Sequence, residues 1–439
     1  MTTPTANPVT RNDVFFSTTD DKGRITLANE VFERLSGYEH SELVGAPHNI
    51  IRHPDMPGGV FHAMWATLQS GRPFAGLVRN RNKQGGTYEV LATVTPLPGG
   101  GYLSVRTRPA TATADSAWAL YEKLRAQERE EERAGANRKT ASEHSAETLL
   151  EFLGVEDYQH FQWDLLPAEL AAHEADGARL PDAPDVTGPA REMIDSLRQA
   201  HQMLSGWSAD QEKVAQMIET LKRTSAELTN AAHAGVKVKD ALSRVEVSGP
   251  HRTLLLAPLE IWSNMHGIVS HYLEELAKLN RELELVSREA LFMLALVRLQ
   301  ASAACMFAVE LGHKESQKSL TILCSALEAG IDQLNEQVSS QQRLSKRVSQ
   351  RIGSVTRIMA PVQEMIAGWL HDSDMRWLSG NARELVSSAT NASQQMSAAS
   401  ARLEETTGKI VDVAKPDTAL LMRLVDKVTF EVERVSRRG

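Results

Sequence analysis

Residues 47–65 read PHNIIRHPDMPGGVFHAMW. Pro47, Pro54 and Pro57 punctuate the first half as turns, and His48, Arg52, His53 and Asp55 sit among them. From Pro57 onward the pattern is helical. Phe61, Met64, Trp65 and Leu68 fall at i, i+3, i+4 and i+7 and share one apolar face. Pro57 suits a helix start, and Asp55 is a candidate cap. A polar turn therefore feeds a helix whose apolar face must cover something. The residue types leave three readings open: a catalytic or metal cluster, a ligand pocket, or a plain loop.

The flanks decide what the helix covers. DVFFSTTD and RITLA, separated by the turn signal DKG, read as short strands. NEVFERLSG is a short helix with Val31, Phe32 and Leu35 on one face and Gly37 as its stop. FAGLVRNRN and TYEVLATVTPL are strands joined by KQGG, and GYLSVRTR follows PGGG as a last strand. The order predicts an α+β domain, an antiparallel sheet with flanking helices, over 12–110, after a disordered tail at 1–11.

Beyond residue 110 strand signals stop. Residues 111–172 read as linker helices, in which YEKLRAQEREEERAGANRK (121–139) has the charge of a solvated helix. The stretch 173–190 carries prolines and glycines and reads as a hinge. From 191 to 439 apolar residues step by three and four, as in Leu273, Leu276, Leu279 and Leu283. That is the pattern of an all-α bundle or coiled coil, and a homodimer is expected from it. Breaks are expected at Gly206 and at the SGP of 248–250, with a register shift near Leu344. The small, polar run 387–410 fits either a closely packed helix or a mobile one.

Composition narrows the function classes. A chain of 439 residues calls for more than one domain. A net charge of −8 argues against nucleic acid as a partner. The two cysteines, Cys305 and Cys324, lie in helical patterns and fit a reducing cytoplasm, and the N-terminus lacks the apolar core of a signal peptide. The stretch 291–311 is long and apolar enough to span a bilayer. Arg298 and Gln300 near its middle favour a buried bundle helix instead, so no membrane span is expected. His48, His53 and His62 lack the paired spacing of a zinc site, so no metal is expected. Neither a hydrolase elbow nor a P-loop is present, and no constellation of base and nucleophile converges in the helical part, so the chain is not read as an enzyme. Asn49, Arg52 and His53 beside Phe61 and Trp65 suit a planar heteroaromatic ligand with polar appendages. Arg52 can take a phosphate, and Trp65 can border a ring.

The run STTDDKGRITLANEVFERLSGYEHSELVGAPHNIIRHPDMPGGVFHAMW, with FAGLVRNRNKQGGTYEVLATVTPL and GYLSVRTRP, resembles the PAS sensor domain of bacterial aerotaxis receptors over about 14–110. The resemblance implies a five-stranded antiparallel sheet holding FAD noncovalently. Asn29, Arg52, His53, Asp55, Trp65 and Asn80 match positions that line or support the flavin site. Glu89 and Thr93 depart from the family, which often carries an aromatic and an asparagine there, on what the resemblance implies is a pocket-facing strand. It also implies a chemotaxis kinase and its adaptor as partners, but residues 288–316 lack the tip consensus that contacts them. The expectation is a cytoplasmic redox or oxygen sensor that signals through its helices to a protein partner. The alternative is a helical scaffold protein whose PAS pocket is empty or differently filled.

Overall fold

The computed structural model describes residues 8–242, 251–309, 314–372, 380–411 and 416–436. Strands β1 (Phe15–Thr19), β2 (Ile25–Ala28), β3 (Phe74–Arg81), β4 (Thr87–Pro96) and β5 (Tyr102–Thr107) form one antiparallel sheet in the order β2-β1-β5-β4-β3. Between β2 and β3 run α1 (Glu30–Ser36), α2 (His40–Leu43), a 3-10 turn (His48–Ile51) and α3 (Gly58–Gln69). Asn29 starts α1: its Oδ1 accepts from the N–H groups of Phe32 and Phe16 at 3.3 and 3.2 Å. Gly37 ends that helix at φ 68°, in the left-handed region. In the β3–β4 connection Asn82 Oδ1 accepts from Gly86 N–H at 2.6 Å, with Gly85 at φ 91°.

The start of α3 differs from expectation. Pro57 is the cap residue and offers no side-chain acceptor, and the first turn instead has its Gly59 N–H bonded to Glu128. The Asp55 carboxylate is instead paired with Arg129, 2.6 Å away on α4 (Thr113–Arg133). A strong cation within reach outcompetes the helix N–H groups for the carboxylate.

The charged helix expected to be a solvated linker packs on the sheet. Trp118, Tyr121 and Leu124 of α4 are buried in spite of its charge, and burial of such side chains contributes about 1.5–3 kcal/mol each. Helices α5 (Arg138–Leu153) and α6 (Tyr158–Ala175) follow. Together α4 and α6 cover the open edge of β3. Tyr121 OH donates to Leu77 O at 3.1 Å, Tyr158 OH donates to Ala75 O at 3.2 Å, and Gln162 Oε1 accepts from Ala75 N–H at 2.8 Å. Helix α6 runs on to Ala175 and the next helix starts at Pro189, so a non-helical segment occupies 176–188 of the expected 173–190 stretch. That segment is held by Arg198, whose Nη2 donates to Pro181 O at 2.6 Å. Of the expected tail, residues 1–7 lie outside the described residues, whereas Val9 is buried with Phe15 and Ile25.

Five more helices follow among the described residues: α7 (Pro189–Leu242), α8 (His251–Val309), α9 (Lys314–Asp372), α10 (Gly380–Val411) and α11 (Thr418–Ser436). Helix α7 passes through Gly206 unbroken. One mid-helix glycine costs about 1 kcal/mol, less than the burial of the adjacent Leu204 and Trp207 contributes. Helix α9 is continuous through Leu344, where a register shift and not a break is expected, and the small residues of 387–410 lie in α10 with Ala389, Ala392 and Ala399 buried. The SGP of 248–250 lies outside the described residues.

The chain divides into two compact units. One holds the described residues up to Ser208, Glu289–Asn335 and those from Pro416; the other holds Ala209–Arg288 and the described residues from Glu336 to Val411. The second unit is a helical bundle whose core includes Leu221, Leu276, Ile352 and Leu403. Gln341 crosses that core, its Nε2 donating to Gln211 Oε1 at 3.0 Å and Ser287 Oγ at 3.2 Å, a polar layer that opposes register slips. In the first unit the apolar end of α8 meets the sheet. Phe307 packs edge-on to Phe16 with ring centroids 5.1 Å apart, and Gln300 Nε2 donates to Thr95 Oγ1 at 3.2 Å. Arg298 pairs with Glu174. Among the described residues α8 is the one helix long and apolar enough to cross a membrane, and its most apolar window is 83% buried.

Gly59 tests the docking of α5 on α3. A Cβ there would stand 2.6 Å from the backbone N of Ala146. Helix propensity favours alanine by about 1 kcal/mol, but overpacking against rigid backbone costs about 1–3 kcal/mol. Gly59→Ala should therefore lower the melting temperature. Gly99→Ala, which meets nothing within 4 Å, should leave it unchanged in the same calorimetric comparison.

Candidate functional site

The apolar face of α3 and one face of the sheet enclose a cavity of about 240 Å³. Phe61, Met64, Trp65 and Leu68 form one wall, as their spacing requires, and Val78, Ala92 and Val94 form the other. Trp65 meets Tyr102 of β5 edge-on, with ring centroids 5.5 Å apart. The shape is a slot between aromatic and aliphatic surfaces. Its volume lies below the roughly 300–1,000 Å³ of a pocket that encloses a whole drug-sized ligand. It suits a ring system with appendages outside.

Polar groups enter from three elements. The 3-10 turn supplies His48 and Asn49 and leads directly into Arg52. The backbone of Arg52 forms an isolated antiparallel bridge with Asn80 of β3, and His53 N–H donates to Arg79 O at 3.4 Å. The turn is thus stitched to the strand, which sets Arg52 beside Asn80. Strand β5 alternates, so Tyr102, Ser104 and Arg106 all line the cavity while Leu103 and Val105 face away. The Arg52 guanidinium lies 3.5 Å from the centroid of the Phe61 ring.

Arg106 is the innermost charge. It is 3% exposed, donates to Ser17 Oγ at 3.1 Å and to His48 Nε2 at 2.6 Å, and lies 5.2 Å from the Phe32 ring centroid. A guanidinium only donates, so His48 Nε2 accepts and carries no proton. Burial, followed by the charges of Arg106 and Arg52, holds the His48 pKa well below the usual 6.5. Burial also draws both Arg52 and Arg106 down to about 10, which leaves them charged at neutral pH. The lining carries Lys22, Arg52 and Arg106 and no carboxylate among the described residues. Three buried polar atoms there lack a hydrogen-bond partner: Arg52 Nε, Asn80 Nδ2 and Ser104 Oγ. Polar groups left so in an apolar slot are those a ligand satisfies.

Of the residues singled out in the sequence, Asn49, Arg52, Phe61, Trp65 and Asn80 line the cavity together. Asn29, His53 and Asp55 do not. Asn29 is spent on the α1 cap. His53 Nδ1 accepts from Asp55 N–H at 3.2 Å, and Asp55 turns outward to Arg129. Glu89 and Thr93, expected on the pocket face, lie on the opposite one. Arg79 holds Glu89 at 2.9 Å, and Thr93 Oγ1 donates to Val105 O at 3.1 Å. Their departure from the family pattern therefore removes nothing from the cavity wall. Sequence reasoning missed Ser104 and Arg106, although two polar residues at alternate positions of GYLSVRTR are the signal of a polar strand face.

Residues 25–101 match the family model of the PAS fold. The sheet and its cavity-forming helices are a PAS domain. An aerotaxis receptor of Escherichia coli K12 is 42% identical over 123 residues, which cover 27% of this chain and 24% of that protein. A nitrogen fixation regulatory protein of Klebsiella pneumoniae is 32% identical over 89 residues, 20% of this chain and 18% of that protein. The PAS domain of a Colwellia psychrerythraea protein matches at 24% identity and a TM-score of 0.19, over 22% of this chain and 85% of that one. A light-oxygen-voltage domain solved with a flavin analogue matches at 21% identity and a TM-score of 0.22, over 25% and 86%. The chain spans about a quarter or less of the length of these curated relatives.

The neutral His48 makes the PAS domain acid-sensitive. An unfolded chain protonates this histidine near pH 6.5 and the folded one well below, so unfolding takes up a proton between those values. Stability is then complete above pH 6.5 and is lost as pH falls towards the folded value, with a slope of at most about 1.4 kcal/mol per pH unit. His53, His173 and His201 have pKa values lowered in the same direction. His48→Gln, which keeps an acceptor for Arg106, should reduce the fall in melting temperature between pH 7 and pH 5 without abolishing it. Coincident profiles would show that His48 is not held neutral.

Proposed function

We propose that this chain is a cytoplasmic redox or oxygen sensor whose PAS domain binds FAD and whose helices pass the state of that site to a signalling protein. The observation that carries the reading is the slot itself: ring-bearing walls, one buried and one half-buried arginine, and three unpartnered polar atoms converging on a space of ring-system size. The names of the relatives, an aerotaxis receptor and a nitrogen fixation regulatory protein, agree with a sensory role. When bound, FAD supplies a carrier whose charge and protonation change with its redox state. Phe61, Trp65 and Leu68 would hold its ring against the sheet and exclude water. Asn80, Ser104 and Arg52 would supply hydrogen bonds to polar edges, and Asn49 lies at the same wall for an appendage.

The output follows from the sheet. Alternation along β1 points Ser17 toward Arg106 and Phe16 toward Phe307 of α8. A shift of Arg106 with ligand charge is thereby felt on the face that the helices cover, a two-state bias read out by association without turnover. The heptad-like helices support a homodimer as the signalling form. A chemotaxis kinase and adaptor are candidate partners, as for the family.

The absorption spectrum tests the cofactor. The purified chain, or the chain after addition of FAD, should show a flavin spectrum that dithionite bleaches. Arg52→Ala should weaken FAD binding at least tenfold, about 1.4 kcal/mol, with the circular dichroism spectrum unchanged. A colourless chain that takes up no added FAD overturns the reading and favours an empty PAS module that serves assembly alone.

A further inference from the structure

Among the described residues Arg106 has no carboxylate partner. Its guanidinium meets a hydroxyl, a neutral imidazole and the faces of Phe15 and Phe32, and no Asp or Glu is among the described residues lining the cavity. Arg52, the half-buried second arginine of the slot, meets no carboxylate among the described residues lining the cavity, and its buried Nε lacks an acceptor. A buried charge left unpaired is strongly destabilising, and arginine does not escape by losing its proton. The missing negative charge must come from what the cavity receives.

We propose that Arg106 is the countercharge that sets the redox preference of the bound flavin, favouring the ligand state with more negative charge against β5. The inference rests on the flavin reading above and assigns its energetic bias to one residue. Reduction by an external two-electron donor, dithionite in the test below, delivers two electrons. Uptake of one proton from solvent leaves one added negative charge on the ring, and Arg106 offsets that charge. His48 orients Arg106 and has no proton on Nε2 to lend, so the added charge is not neutralised from that side. Ser17 Oγ fixes the other end of the guanidinium. Arg106 is a positioning and tuning group, and it makes and breaks no bond.

The test uses the full chain reconstituted with FAD, equilibrated with a reference dye during stepwise dithionite reduction. Bound FAD in the wild-type chain should reduce more readily than free FAD, so reduced FAD should also bind more tightly than oxidised FAD. Arg106→Gln should lower the reduced-to-oxidised equilibrium constant at least tenfold, about 30 mV for a two-electron couple. Arg106→Lys, which keeps the charge, should recover most of the loss. A glutamine variant with the wild-type equilibrium overturns the assignment. So does a wild-type chain that binds oxidised FAD as tightly as reduced FAD, a comparison that holds even if the glutamine variant does not fold. FAD uptake with an unshifted potential defeats this assignment alone, whereas no uptake defeats the flavin reading and this inference with it.

Discussion

Strand β5 sits at the centre of the sheet, and its pleat gives each face a different task. Ser104 and Arg106 point into the cavity, while Leu103 and Val105 point to the face that the helices cover. A one-residue slip would exchange the two sets and bury Arg106 against apolar side chains. The register is held on both sides: Arg106 lies opposite Phe15 on β1 and Ala92 on β4. Phe15 and Phe32 then flank the guanidinium, and His48 and Ser17 accept its hydrogen bonds. The placement of one arginine thus fixes the positions of two strands, α1 and the 3-10 turn.

The far edge of the sheet meets a second constraint. Strand β3 is an edge strand, and outward backbone groups on such a strand invite pairing with another chain. Here the outward groups of Ala75, Leu77 and Arg79 are satisfied by Gln162, Tyr158, Tyr121 and the backbone of His53. The same stitching that protects the edge positions Arg52. Helices α4 and α6 are therefore part of the structure that holds the sheet, and Glu128, whose Oε1 accepts from Gly59 N–H at 3.1 Å, ties α4 to the start of α3 as well.

The strands and the apolar face of α3 were legible in the sequence because period two and period 3.6 both stand out against polar turns. Asn49, Arg52, Phe61 and Trp65 line the cavity as their types and spacing suggested, and Asn80 does so as the resemblance implied. The errors have local causes. In TYEVLATVTP the apolar Tyr88, Val90, Ala92 and Val94 alternate with Glu89, Thr93 and Thr95, but Leu91 is buried at the other parity, so both faces are covered over part of the strand and alternation alone does not say which face meets the cavity. Asn29 precedes a periodic helix, the position of a cap, and capping consumed it. The stripe of Trp118, Tyr121 and Leu124 was masked by the acidic and basic residues around it, and its hydrogen bonds to β3 are long-range contacts that no local pattern encodes. Arg106 was hidden by the habit of reading arginine as surface; only its parity with Ser104 gives it away.

The apolar end of α8 follows the same physics as the cavity. Arg298 lies in a run of buried Leu, Ala and Val, where an unpaired charge would be costly. Glu174, at the end of α6, supplies the carboxylate. That pair fastens α8 to α6, and α6 in turn is bonded to β5 through His173 and Thr107 at 3.0 Å. Arg106 and Thr107 are neighbours on one strand pointing to opposite faces. The cavity-facing arginine, which has no carboxylate, and the helix-facing arginine, which has one, are thus joined through adjacent residues of β5. The charge left unmatched is the one that lines the cavity, and the matched one fastens the helix that covers the sheet.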